Sequence, residues 1–335
     1  MAKKGKKMNK SKKTRKRANS FIVFLITLLI IIGFIAISKF KKGDIIKYIP
    51  AEVLATIGKS GEKVGDIGSP RGIAVSSDGF IYVADLKNNK ILKFKTNGEF
   101  IKEWGKYGNK KGEFKEPSGV AVDKENFIYV SDAWNGRIQK FNPNGDYILE
   151  FGGEKCGFYS PRNVAVNKYG ILFVADTGTS RIHRFDTEGN RIGNPVGGKG
   201  VAINNFDEVF GICFDSTGRI YAGDPGNRRI VVLSSDLKPL AQIKIKPWLE
   251  NKSSWPMVAI DSRDYLYVVS TNTQDIYIYD TKNPKFKYIG TIKNDNSNKP
   301  LFASPLGIAI DSNDIIYVSD SGKNQVIKLQ PIFSR

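Results

Sequence analysis

From Pro70 onward the chain alternates short apolar runs with clusters of Asp, Asn, Gly and Ser, and the alternation itself repeats. Six times a run rich in small residues comes first: GIAV at 72–75, GVAV at 119–122, NVAV at 163–166, GICF at 211–214, MVAI at 257–260 and GIAI at 307–310. A tight turn and a second run follow: IYVAD (81–85), IYVSD (128–132), LFVAD (172–176), IYAGD (220–224), LYVVS (266–270) and IYVSD (316–320). Third runs are KILKF (90–94), RIQKF (137–141), RIHRF (181–185), RIVVL (229–233), DIYIY (275–279) and QVIKL (325–329). Five copies add a fourth, such as FIKEWG at 100–105 and YILEFG at 147–152. Short β-branched and aromatic runs bounded by turn formers predict strands. Asn97-Gly98 and Asn144-Gly145 predict hairpin turns, whose two central positions need positive φ. The second runs end at 85, 132, 176, 224, 270 and 320, a period of 44 to 50 residues. Four strands per period, six times over, predict an all-β, six-bladed propeller.

The sixth copy ends at Leu329 without a fourth run. The missing strand is upstream, at Val53-Leu54-Ala55-Thr56-Ile57-Gly58. Pairing it with the last blade would close the ring and remove two exposed sheet edges. The propeller is therefore expected over 53–331, followed by a tail at 332–335.

Ahead of the repeats the pattern changes. Residues 1–19 form a basic tail with ten Lys/Arg between positions 3 and 17 and no acid. Residues 20–38 contain no charge, and Phe21 to Ser38 holds fourteen Leu, Ile, Phe or Val. Such a run is long enough for a transmembrane helix, with an insertion term on the order of −6 kcal/mol. It exceeds the usual apolar stretch of a cleaved signal, although Ala36-Ile37-Ser38 leaves secretion after cleavage near Ser38 as the alternative. The charge difference across the run predicts a cytoplasmic N-terminus, a linker at 39–52 and an extracytoplasmic propeller on a single-pass membrane protein. Membrane lipid is then one partner. Of the 52 Lys/Arg and 33 Asp/Glu, fourteen and one lie in residues 1–47, so the remainder is only mildly basic at +6. That balance makes nucleic acid an unlikely partner of the domain.

The pattern P-x-G-I-A-V, IYVAD, N-x-[RK]-I-x-K-F resembles the NHL repeat over about residues 53–331, best in the first, second and sixth copies. The fourth and fifth depart from it: Phe210 stands in the slot of Arg71 and Ser118, Met257 replaces the glycine, and Ser270 replaces the strand-end Asp. The resemblance implies a six-bladed propeller that serves as a binding or scaffold module for a protein, glycan or cell-wall ligand. Its enzymatic members imply, as an alternative, a metal-dependent hydrolase or lyase of the lactonase kind. Only that alternative would call for a cofactor, a divalent cation such as Ca. Some cytoplasmic members imply RNA binding.

Candidate chemistry is sparse. In a propeller the second-to-third and blade-to-blade connections share one face, and the long insertions fall there, at about 106–115, 153–160, 198–206, 246–254 and 293–303. Binding concentrates on such loops. Arg71 and Arg162 occupy equivalent slots at the channel mouth and suit an anion. Trp134, Phe210 and Trp255, with Trp248, Tyr107 and Tyr159, suit an interface. Asp85, Asp132, Asp176, Asp224 and Asp320 repeat in every blade but the fifth, which points to turns capped by carboxylates rather than to a metal site. His183 is the single histidine, so the three-histidine zinc site of peptide-amidating lyases cannot be built. Glu116, Asn163, Asp207 and Glu208 do not form a recognisable ligand set. No catalytic residue and no metal ligand is assigned. Cys213 fills a small core slot, and Cys156 lies on a loop.

Overall fold

The structure is a computed structural model that describes residues 47–153, 156–245, 255–295 and 297–333. The membrane segment expected at 20–38, the basic tail 1–19 and most of the linker lie outside the described residues, as do Trp248 and the insertion at 246–254. Among the described residues no helix is long and apolar enough to cross a membrane.

Six four-stranded antiparallel sheets form six blades. Blade one runs Pro70–Val75, Phe80–Asp85, Lys90–Lys95 and Phe100–Trp104. Blades two to five repeat this order from Pro117–Val122, Pro161–Val166, Ile212–Phe214 and Val258–Ile260. Blade six takes three strands from the C-terminus (Pro305–Ile310, Ile316–Asp320 and Gln325–Pro331) and its outer strand, Ala51–Ile57, from the N-terminus. Ala51 pairs with Pro331 and Ile57 with Val326.

This clasp begins two residues before the expected start at 53, and the ordered chain begins earlier still. Ile49 N donates to Thr291 O, and Thr291 N donates to Lys47 O, both at 2.8 Å, so residues 47–49 lie along the outer edge of blade five. Ile49 is buried there. At the other end Ile332 N donates to Pro50 O, and Phe333 packs at a tilt against Tyr265. Part of the expected linker and part of the expected tail thus belong to the fold.

The repeat's glycine has a packing cause. A Cβ on Gly72 would lie 2.5 Å from Ser118 O, one on Gly119 2.8 Å from Asn163 Cα, and one on Gly211 2.8 Å from Met257 Cα. Around the channel the inner strands meet backbone to backbone, and only a residue without a side chain fits most of these positions. Blade three puts Asn163 there instead, and its Oδ1 accepts Ile212 N of blade four at 3.2 Å.

Buried tyrosines and a chain of cations bind blade to blade. Lys93 Nζ donates to Pro143 O, Lys140 Nζ to Thr187 O and Arg184 to Ser235 O, each reaching the next blade's outer turn. Lys328 Nζ completes the circle at Thr96 O of blade one, at 3.0 Å. Blades four and five carry Val232 and Ile278 in that slot, so the link is made elsewhere. Ser216 N donates to Asp264 and Ser262 N to Asp314, both at 2.8 Å, and Arg219 reaches Thr281 O.

Candidate functional site

The long loops are pinned rather than loose. Five of them are each anchored by a buried apolar residue: Ile67, Phe114, Phe158, Phe206 or Phe302. The next backbone N–H then donates to a strand-end aspartate, as Gly68 does to Asp85 (2.7 Å), Lys115 to Asp132 (2.7 Å), Asp207 to Asp224 (2.8 Å) and Ala303 to Asp320 (2.7 Å). Tyr159 and Ser160 do the same for Asp176. The carboxylates also accept from the turn that follows, through Asn88, Asn135, Thr179, Asn227 and Gly322. Reading them as caps of the following turn alone therefore misses their longer reach. Each ties the incoming loop, 16 or 17 residues upstream, to the strand end. In blades two and four an arginine completes the clamp. Arg137 donates to Asp132, Glu150 and the carbonyls of Lys110 and Glu113, while Arg229 donates to Asp224 and the carbonyls of Val201, Ala202 and Asn205.

At the centre of the long-loop face, side chains at or just before the start of each inner strand surround the channel axis, one from each blade except the fifth, which gives two. Arg71, Ser118 and Arg162 make one half of this mouth. Phe210, Trp255, Met257 and Leu306 make the other. Four of the five sequence-selected residues meet here. Trp134 does not: it sits on the short 3-10 turn Ala133–Asn135 and is not among the mouth's lining.

The Arg71 guanidinium lies 4.4 Å from the centre of the Trp255 ring, a cation–π distance. Its one side-chain hydrogen bond is long, to Ser118 Oγ at 3.4 Å. Among the described residues it makes no ion pair with a carboxylate. Burial, and then the like charge of Arg162, pull its pKa down to about 10. Arg162 itself has only a distant partner, Glu116 at 4.0 Å. The cavity between these groups is about 20 Å³, room for about one water-sized group.

The opposite mouth is wider, with recesses of about 470 and 500 Å³ bounded by the short turns. Its acids are already engaged. Asp123 accepts Tyr129 Oη and its own turn's N–H groups; Asp215 and Asp261 do likewise with Tyr221 and Tyr267. Among the described residues no three His, Cys, Asp or Glu side chains converge to hold a metal ion. Asn163 is used between blades, and Glu116 faces Arg162.

His183 is buried between Phe158 and Phe185, and burial followed by Arg191 and Arg181 pulls its pKa down to about 4. It is neutral at pH 7. Cys213 packs partly buried between blades four and five, where burial raises its pKa.

Exposed apolar side chains gather on the long-loop face. Val64 (77%), Tyr107 (70%), Trp134 (68%), Tyr159 (77%) and Val201 (82%) project from five of its loops, whereas the short turns expose Tyr169. Sequence reasoning named Tyr107, Trp134 and Tyr159 but missed Val64 and Val201; their position inside blade-to-blade insertions was the available signal.

Three stretches, residues 68–94, 114–141 and 302–329, match the model of the NHL repeat. These are blades one, two and six, and the chain carries NHL repeats on a six-bladed β-propeller. No curated protein matches its sequence. Solved structures with a similar fold include virginiamycin B lyase from Staphylococcus aureus, at TM-score 0.57 and 15% identity, covering 86% of this chain and 90% of that one. The PQQ-bound aldose sugar dehydrogenase of Streptomyces coelicolor aligns at TM-score 0.60 and 14% identity, covering 85% and 99%. A chain of the nidogen/laminin complex aligns at 0.54 and 18%, covering 72% and 84%. At these identities the likeness establishes the fold alone, and the fold is shared by enzymes and by a component of a protein complex.

Proposed function

We propose that this NHL-repeat propeller is a non-catalytic binding module, held outside a cell membrane by residues 20–38, that engages a protein or glycan through its long-loop face. The observation that carries this reading is the set of exposed apolar side chains on loops that are themselves pinned. A rigid loop presenting Tyr107, Trp134 or Tyr159 to water loses little further entropy when a partner covers it, so such side chains are efficient anchors. The charge-free run at 20–38 and the bases before it support the membrane anchor and its orientation. The lactonase-like alternative, with a bound Ca or similar ion, has less support: among the described residues Asn163 is engaged between blades and Glu116 faces Arg162.

Two measurements test the reading. Protease applied to intact cells should remove the propeller and leave the N-terminal tail; full protection would reject the topology. A photo-crosslinking residue placed at Tyr107, Trp134 or Tyr159 should trap one discrete partner in cells, and the same residue at Tyr169 should not. Equal trapping from both faces would reject the long-loop face as the docking surface.

A further inference from the structure

The two ends of the propeller differ in charge. Loop 105–116 alone carries Lys106, Lys110, Lys111 and Lys115, and across the long-loop face bases outnumber acids by about two to one. On the short-turn face acids outnumber bases, led by the turn aspartates such as Asp78, Asp123, Asp215 and Asp311. The mild net charge of the domain conceals this polarity. At the centre of the basic face sits a guanidinium, Arg71, that is more than half withdrawn from water; among the described residues it makes no ion pair, and the nearest carboxylate to act on it, Glu116, lies against Arg162. Its planar fork presents five donors, of which one makes a single long bond. A second guanidinium, Arg162, stands on the far side of Ser118. Glu116, 4.0 Å from Arg162, offsets part of this charge, and the excess that is left in the narrow mouth favours one further anion.

The mouth also limits what the anion is. Its free space admits one small group, and half of its wall is apolar: Phe210, Trp255, Met257 and Leu306. A bulky anion has no room. That space admits the oxygen tip of a carboxylate, directed toward Arg71, Ser118 and Arg162, while its hydrocarbon stem stays at the rim beside Trp255 and Leu306.

We infer that the long-loop face docks an acidic protein segment, one of whose Asp or Glu carboxylates seats between Arg71 and Arg162 at the channel mouth. This rests on the proposed use of that face and specifies the chemistry at its centre. The surrounding lysines steer an acidic partner toward the face, and the seat fixes its register. Lost bidentate pairing to a half-buried charge lowers affinity more than loss of a surface lysine does.

The test uses the full chain in detergent micelles and a capped oligoglutamate peptide, with binding read from tryptophan fluorescence, since Trp255 stacks on Arg71. Saturable binding is expected. Arg71→Ala should weaken it at least about tenfold, the loss of one charge-assisted pair. Arg71→Lys should recover only part, because an ammonium lacks the fork. Lys168→Ala, on the opposite face, should change nothing. Matched unfolding midpoints identify variants that remain folded, and Arg162→Gln provides a second, independent removal of charge. The proposal is overturned if the peptide fails to bind the wild type, if both arginine variants bind it as the wild type does, or if inorganic phosphate competes better than acetate, which would make the seat a phosphate site. Crosslinking through Tyr107 that persists while the peptide fails would reject the seat alone; loss of face-specific crosslinking would reject the parent reading.

Discussion

At the scale of single residues, the propeller is governed by whether buried polar atoms find partners. Second-strand tyrosines show this most clearly. Tyr129, Tyr221, Tyr267 and Tyr317 donate to Asp123, Asp215, Asp261 and Asp311, each six residues upstream. Blade one has Ser76 at that position, and Tyr82 Oη is buried without a partner. His183 is a second such group, with neither ring nitrogen bonded among the described residues. Its folded pKa of about 4 lies below the ordinary value of 6.5. Well above pH 6.5 the ring is neutral in both states and its ionisation contributes nothing. As pH falls from 6.5 toward 4, the unfolded chain binds a proton that the folded chain excludes, so stability declines through that window. His183→Gln should flatten the pH dependence there by up to about 1.4 kcal/mol per pH unit. Urea unfolding midpoints of both proteins at several pH values would check it; parallel curves would mean that the ring is already protonated or solvated in the fold. The sequence placed His183 in a third-strand slot but gave no sign of this penalty, because Phe158, which covers it, lies on a distant loop.

At the scale of elements, the strands were readable because each is a short β-branched run closed by turn formers, and the chain repeats the signal six times. The connections between distant elements were not. The aspartates' bonds to a loop 16 or 17 residues upstream, and the lysines' reach into the next blade, are non-local. One signal was present for the latter, since Lys93 to Pro143 and Lys140 to Thr187 span roughly one repeat. The likeness of 53–58 to the other fourth strands does not extend to Ala51 and Glu52, nor to Ile49, which is buried against blade five, so the strand's start at Ala51 was not legible. The clamp formed by Asp132 and Arg137 makes a prediction of its own. Asp132→Asn leaves a buried guanidinium with one fewer carboxylate and should cost about 3 kcal/mol, with faster amide exchange across 105–116 than elsewhere. Uniform acceleration over the whole ring would instead mean that the clamp is not local to its loop. The candidate site was half legible. Arg71 and Arg162 were recognisable as equivalent slots, but only the fold shows that Ser118 stands between them and that Trp255 stacks beneath.

For the whole molecule, closure is the governing fact. Strand Ala51–Ile57 supplies the outer strand of blade six and buries Ala51 and Ile57, and Lys328 and Ser319 tie blade six to blade one. A chain beginning at Gly68 loses the clasp's ladder and the burial of Ile57, on the order of several kcal/mol in total. It should melt at a clearly lower temperature than one beginning at Lys47, and the first protease cuts should fall in blade six. Equal melting temperatures would contradict the closure. The stitching has a consequence for biosynthesis. The clasp's partner, Gln325–Pro331, is made after every other strand of the ring, so strand Ala51–Ile57 must wait unpaired through synthesis of the blades between them. For that interval the newborn ring is an open arc with two sticky edges, exposed to chaperones, proteases and its own neighbours until the closing strand arrives.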